Sequence, residues 1–129
     1  MSNQTNNLNI ESLIAKVSYE LVSEIQNSQN KKKLKNLIDK ALGVLNNNGV
    51  YAYYVYIISQ NGKDNKEPEK IFLNKLKDLF KILDISFDEN NKQQYFQNIS
   101  NDLHKLLFLK QLLEKTLIYA RYHAKALGD

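Results

Sequence analysis

Few side chains in this sequence could do covalent or metal chemistry. The 129 residues include no cysteine, two histidines (His104 and His123) and one arginine, Arg121. Without cysteine there are no disulfides, thiolate metal sites or thiol nucleophiles. The two histidines fall on one C-terminal helical pattern. At the rise of an α-helix they lie about 28 Å apart and cannot share a metal ion. His123 falls near Leu112 and Thr116 on the apolar side of that helix, where a packed, hydrogen-bonded imidazole is expected. Arg121 and His123 do not reproduce the arginine–four-to-six–histidine spacing of one large class of helical ribonucleases. The acidic pairs Glu67 with Glu69 and Asp88 with Glu89 sit in polar loops or helix starts, where acids favour the helix dipole. No calcium loop, phosphate loop or Gly-x-Ser-x-Gly turn occurs. The expectation is a protein with no catalytic residue, no metal site and no cofactor, which works by binding.

Its cations are more informative. Seventeen lysines and Arg121 give a formal charge of +4 and a pI near 9.1. They are unevenly spread, with cationic blocks over residues 30–66 and 91–129 and acidic blocks over 1–29 and 67–90. A polarised charge of this kind suits a polyanionic partner. Lys31, Lys32, Lys33 and Lys35 open the second helical pattern, where cations oppose the positive end of the helix dipole. In the last pattern Lys110, Lys115, Arg121 and Lys125 lie opposite the apolar side, with Glu114 as the one acid among them. Such a stripe can follow a phosphate backbone, with Tyr122 beside it as a stacking surface for a base. It can equally be a solvated face that keeps the helix soluble.

The elements that must position these residues are helices. One proline and four glycines are too few for a turn-rich sheet fold. Asn9 is expected to cap a helix with apolar positions Ile10, Leu13, Ile14, Val17, Leu21 and Ile25. Asn27 to Asn30 breaks it. A second helix runs from about Lys31 to Leu45, with Leu34, Leu37, Ile38, Ala41, Leu42 and Leu45 buried, and stops at Asn46–Gly49. Residues 50–59 favour a strand by local propensity. No convincing pairing strand exists, so they are read as a central helix buried on most sides, with some of its four tyrosines reaching an edge or a polar group. A loop spans Asn61 to Glu67. A helix from Pro68 to about Leu83 follows, then a loop over Asp84–Asn91 and a short helix around Tyr95, Phe96 and Ile99. Ser100 or Asn101 is expected to cap the last long helix, which ends near Gly128 and buries Leu106, Leu109, Leu112, Leu113, Thr116, Leu117, Ala120, Ala124 and Leu127.

The fold class expected is therefore all-α, a compact bundle of about five to six helices. A flexible tail over residues 1–8 precedes a single helical domain over 9–129. With 43% hydrophobic and 25% charged residues, the balance is that of a globular chain. The N-terminus lacks the basic start and apolar run of a signal peptide. The longest apolar stretch, Val50 to Ile58, falls far short of the ~20 residues of a spanning helix. A soluble, cytoplasmic protein with no membrane partner is expected.

Three stretches resemble a known family. They are the Asn48-Gly49-Val50 turn, the apolar helix ending Ile58-Ser59-Gln60, and Thr116-Leu117-Ile118-Tyr119-Ala120-Arg121-Tyr122-His123-Ala124-Lys125-Ala126-Leu127. Their order is similar to the small-subunit family of type III-B CRISPR effector complexes. That family closes with a tryptophan-leucine-basic-basic-phenylalanine-alanine motif. Here Tyr119 stands for the tryptophan, Arg121 keeps one basic position, Tyr122 replaces the other and His123 replaces the phenylalanine. Small subunits of type I-A and III-A systems are similar in size and role. The resemblance implies a non-catalytic subunit of an antiviral ribonucleoprotein complex. It would stack on copies of itself beside other subunits and line the groove that holds guide RNA and target RNA. The competing expectation is a helical protein-interaction module, a regulator or viral inhibitor, with no nucleic-acid role.

Overall fold

The computed structural model describes residues 2–128, with side chains from Asn9 onward. The tail expected over residues 1–8 lies outside the described side chains. The helices are α1 (Ser2–Gln26), α2 (Lys31–Asn48), α3 (Val50–Ser59), α4 (Glu67–Phe72), α5 (Lys77–Phe80), α6 (Lys92–Ser100) and α7 (Leu103–Ala126), and no strand occurs among the described residues. Asn9 therefore stands within α1 and does not cap it. α7 packs along α1 on one flank and along α2 on the other. Glu11 meets Lys115 and Tyr119, and Tyr19 meets His123, so α1 and α7 run the same way. Asp39 meets Arg121 while Lys31 and Lys32 face Leu127, so α2 runs opposite to α7.

The apolar stripe of α2 is buried as its spacing requires, from Leu34 to Leu45. The helix continues past the expected stop at Leu45 to Asn48 and turns at Gly49. Gly49 has φ 95°, a left-handed conformation that costs glycine little. Its N–H donates to the Leu45 carbonyl and its carbonyl accepts from Tyr53, so one residue closes α2 and opens α3. Residues 50–59 are helical despite their strand-like composition. Val50, Tyr53, Tyr54 and Ile57 are buried, while Tyr51 and Val55 reach the surface. Tertiary burial overrides β propensity here, because an unpaired strand would leave its backbone groups unsatisfied.

The helix expected from Pro68 to Leu83 is broken. After α4 the chain makes a 3₁₀ turn (Asn74–Leu76), then α5, then a second 3₁₀ turn (Lys81–Leu83), and leaves through Asp84 at φ 54°. Two buried tyrosines supply the reason. The Tyr53 hydroxyl donates to the Phe72 carbonyl (2.7 Å), and the Tyr95 hydroxyl donates to the Phe80 carbonyl (2.8 Å). Phe72 and Phe80 are the last residues of α4 and α5, where helix carbonyls lack intrahelical partners. With Phe72 taken, the Leu76 N–H donates to Leu73 in a 3₁₀ bond. Buried residues at 73, 76 and 79 repeat at the three-residue period of such turns. Phe80, Phe87, Tyr95, Phe96 and Tyr54 form a continuous aromatic cluster against this segment.

A polar clasp secures the same region. Lys92, the first residue of α6, is buried; its Nζ donates to Glu69 Oε2 (2.7 Å) and to the Glu89 carbonyl (2.9 Å). The other Glu69 oxygen accepts from the Asn61 amide at 3.0 Å, and the Glu69 N–H donates to Asn61 Oδ1. α7 is capped by Asp102, whose side chain accepts from the Lys105 N–H, and not by Ser100 or Asn101. Thr116 is buried with its hydroxyl on the Leu112 carbonyl. Leu127, expected in the core, lies beyond the end of α7 and is exposed.

Tyr53→Phe strands the Phe72 carbonyl and should cost about 1–3 kcal/mol in urea unfolding. Lys92→Met leaves Glu69 without its main partner and should cost about 2–4 kcal/mol by the same assay. The Lys92 hydrogen bond, opposed in part by burial, holds the Glu69 carboxyl below the ordinary carboxylate range. Its stabilisation is complete above the unfolded pKa and disappears as pH falls through the folded one. Acidification from neutrality should therefore cost the native chain more stability than it costs Glu69→Gln. Equal losses would refute this role.

Candidate nucleic-acid interface

α7 has flanks covered by α1 and α2 and an outward ridge, so position around the helix decides the fate of each cation. Lys110, Arg121 and Lys125 lie within an arc of about 60°, while Lys115 is about 120° away from Arg121. The single stripe expected on α7 is thus divided. Lys115 belongs to the α1 flank, where its Nζ pairs with Glu11 Oε1 at 3.1 Å and the Tyr119 hydroxyl donates to Glu11 Oε2 at 2.8 Å. The Tyr119 hydroxyl and then Lys115 hold the Glu11 carboxyl below its usual range, and Glu11 raises Lys115 in turn. Tyr119 ties α7 to α1.

Arg121 belongs to the α2 flank. Its Nε forms an ion pair with Asp39 Oδ1 at 3.1 Å, and both side chains are more than half exposed. Lys125 lies one turn further along the same side of α7. There the helix end meets the start of α2 in an open groove of about 630 Å³, lined by Gln26, Lys31, Lys32, Lys35, Asn36 and Leu127. A second recess of about 460 Å³ adjoins it across Lys32 and Asn36 and adds Lys33 and Lys40. The two basic segments, distant in sequence, therefore meet at one end of the bundle. Among the described residues Lys31, Lys32, Lys33, Lys40 and Lys125 form no ion pair.

Lys40 was not singled out by the sequence, although its place two turns after Lys33 puts both on one face of α2. Asp39 was missed because its partner is far along the chain. Lys110 is half-buried, well over two turns from the groove, and Tyr122 stands exposed on the outward ridge of α7. Leu107 and Ile118 share that ridge, Leu103 lies in line with Arg121, and all three are also exposed. His123 is half-buried with its ring edge-on to Tyr19, centroids 5.9 Å apart, an aromatic contact in place of the hydrogen bond expected. His104 is exposed. Among the described residues no group of three or more His, Asp or Glu side chains is placed to hold a metal ion, and no helix is long and apolar enough to cross a membrane.

The arrangement offers a row of ammonium groups on an open surface. Such a surface can neutralise successive phosphates without reading a base. No curated protein and no solved structure matches the chain. Residues 10–127 match the family described as CRISPR-associated protein (Cas_Cmr5). The all-α bundle, the Asn48-Gly49-Val50 turn into an apolar helix and the basic C-terminal helix agree with that match, and the chain belongs to the Cas_Cmr5 family, the small subunits of type III-B CRISPR effector complexes.

Proposed function

We propose that this subunit acts without catalysis in the cytoplasm, lending a phosphate-binding surface to the guide and target RNA of an antiviral effector complex. The observation that carries this reading is the convergence of the α2 lysines with the C-terminal end of the chain on one open groove, lined by Leu127 and Gly128 just beyond Lys125. Lys31, Lys32, Lys33, Lys35, Arg121 and Lys125 are its phosphate contacts, with Lys40 added. Lys115 lies on the α1 flank, away from the groove, and is left out. Lys110 and Tyr122 are set aside as well. Lysine and amide side chains make up most of its lining, which suits contact with the backbone, independent of sequence.

Other subunits of the complex, and further copies of this chain, need a surface of different character. The outward ridge of α7, with Leu107, Ile118 and Tyr122 exposed, suits a protein neighbour because large apolar side chains gain from being covered.

The test is the affinity of the full chain for oligouridylate across a salt series. Arg121→Glu with Lys125→Glu should weaken binding at least about tenfold and reduce the salt slope by about 1.4, since each single-strand phosphate contact contributes about 0.7. Lys115→Gln should change affinity less than about twofold, as expected of an exposed pair. If reversal at Arg121 and Lys125 alters neither affinity nor slope, the groove does not hold RNA. A complex retained in pull-down after nuclease treatment, with no RNA contact to this chain, would favour the pure protein-interaction role. Leu107→Lys with Ile118→Lys should reduce co-purification with the effector complex while leaving oligouridylate affinity intact. Unimpaired incorporation would remove the ridge from the interface.

A further inference from the structure

One glycine has no evident task within the chain. Gly43 lies in the interior of α2, where glycine is the least favourable residue after proline. Its backbone is right-handed helical, unlike that of Gly49 and Gly128, so no left-handed turn demands it. A Cβ at this position would meet nothing within 4 Å, so no close packing demands it either. Gly43 stands about 180° around the helix from buried Leu34, at the centre of the outward side of α2. At such a position propensity alone favours alanine. A residue that weakens its helix without easing any internal contact points to a ligand that approaches the backbone from outside.

The surroundings of Gly43 narrow the chemistry of that ligand. Lys32, Asn36 and Lys40 lie within about 60° of Gly43 around the helix. All three line the recess of about 460 Å³. One side of α2 therefore runs from the basic recess to Gly43. Asp39, the only acid of α2, shares that side and is paired with Arg121. Among the described residues no exposed large apolar side chain belongs to α2, which favours a polar strand there over a protein neighbour. Within a helix each N–H is engaged by the carbonyl four residues back, while each carbonyl keeps a second lone pair. A bare stretch of helix can thus accept hydrogen bonds but not donate them. A phosphate, which only accepts, gains nothing from it. A ribose 2′-hydroxyl, which can donate, does.

We propose that Gly43 is a ribose-reading notch: the α2 lysines hold phosphates, and at Gly43 a 2′-hydroxyl donates to a carbonyl of the preceding turn, so that the surface prefers RNA to DNA. This deepens the phosphate-groove reading and rests on it. A helical side chain covers the turn before its own Cα, so any residue larger than glycine at position 43 stands between sugar and carbonyl. The notch distinguishes one sugar from another and leaves the bases unread, in keeping with contact independent of sequence.

The experiment compares oligouridylate, its 2′-O-methyl form and oligodeoxyuridylate of one length as ligands of the full chain and of Gly43→Ala. The native chain should bind oligouridylate about three- to tenfold more tightly than either strand lacking the donor, the span of one hydrogen bond. Gly43→Ala should bring oligouridylate down to the level of the other two and leave those unchanged within about twofold, while raising the urea midpoint because alanine is the better helix former. A lowered midpoint would mean that the fold itself needs the glycine, and it overturns the proposal. Equal weakening of all three strands overturns it too, since the methyl group would then obstruct a strand whose hydroxyl is not read. A native chain indifferent to the three strands does the same. The failures are distinguishable. If charge reversal at Arg121 and Lys125 weakens binding while Gly43→Ala leaves the preference for RNA as it was, the notch is lost and the groove stands. If the reversal changes nothing, the groove reading falls and the notch with it.

Discussion

The packing of α7 between α1 and α2 is the constraint on which the other features depend. A helix with a neighbour on each flank and a core beneath it keeps only a limited arc for solvent. Leu109, Leu112, Leu113, Leu117 and Ala120 commit the inner side completely. Every polar side chain of α7 must then find the α1 seam, the α2 seam or the outward ridge. With 3.6 residues per turn, that assignment is fixed by residue number. Lys115 and Tyr119 go to α1 and are matched by Glu11. Arg121 goes to α2 and is matched by Asp39. Charge on this helix is therefore sorted by packing before any ligand is considered, and the groove at its C-terminal end is what the sorting leaves uncovered.

The middle of the chain serves as a strut for this arrangement. The residues from Glu67 to Leu83 do not form a regular helix, yet Ile71, Phe72, Leu73, Leu76, Leu79 and Phe80 are completely or almost completely buried. Breaking a helix inside a core exposes carbonyls to an apolar environment, which is costly unless each finds a donor. Tyr53 and Tyr95 are those donors at the two ends that matter, and burial pushes both phenols well above their ordinary range, so they remain neutral donors. The Lys92–Glu69–Asn61 clasp fastens the loops on either side. Chain order and side-chain chemistry act together here: α3 donates forward to α4, and α6 donates back to α5.

What was legible in the sequence was local. The α2 stripe, the Gly49 turn and the apolar side of α7 obey short-range periodicities, and burial follows them. Residues 50–59 were legible only by elimination, because no partner strand existed for a segment whose composition favours one. The break after α4 was not legible, since it depends on a hydroxyl nineteen residues earlier meeting the Phe72 carbonyl. Nothing in the local sequence marks Lys92, because its partner Glu69 lies in another element. The site was half legible. Both basic segments were visible as charge runs, but not that they meet, nor that the stripe on α7 divides. Leu127 was misplaced because a helical pattern was extended past the end of its helix.

The most direct measurement of the central claim is lysine acetylation footprinting of the assembled effector complex with and without its RNA. Lys31, Lys32, Lys33, Lys40 and Lys125 should be protected when RNA is present, while Lys115 and Lys63 should react equally in both states. Protection confined to Lys115, or uniform labelling across all of these lysines, would contradict a groove between α2 and α7 as the seat of phosphate contact.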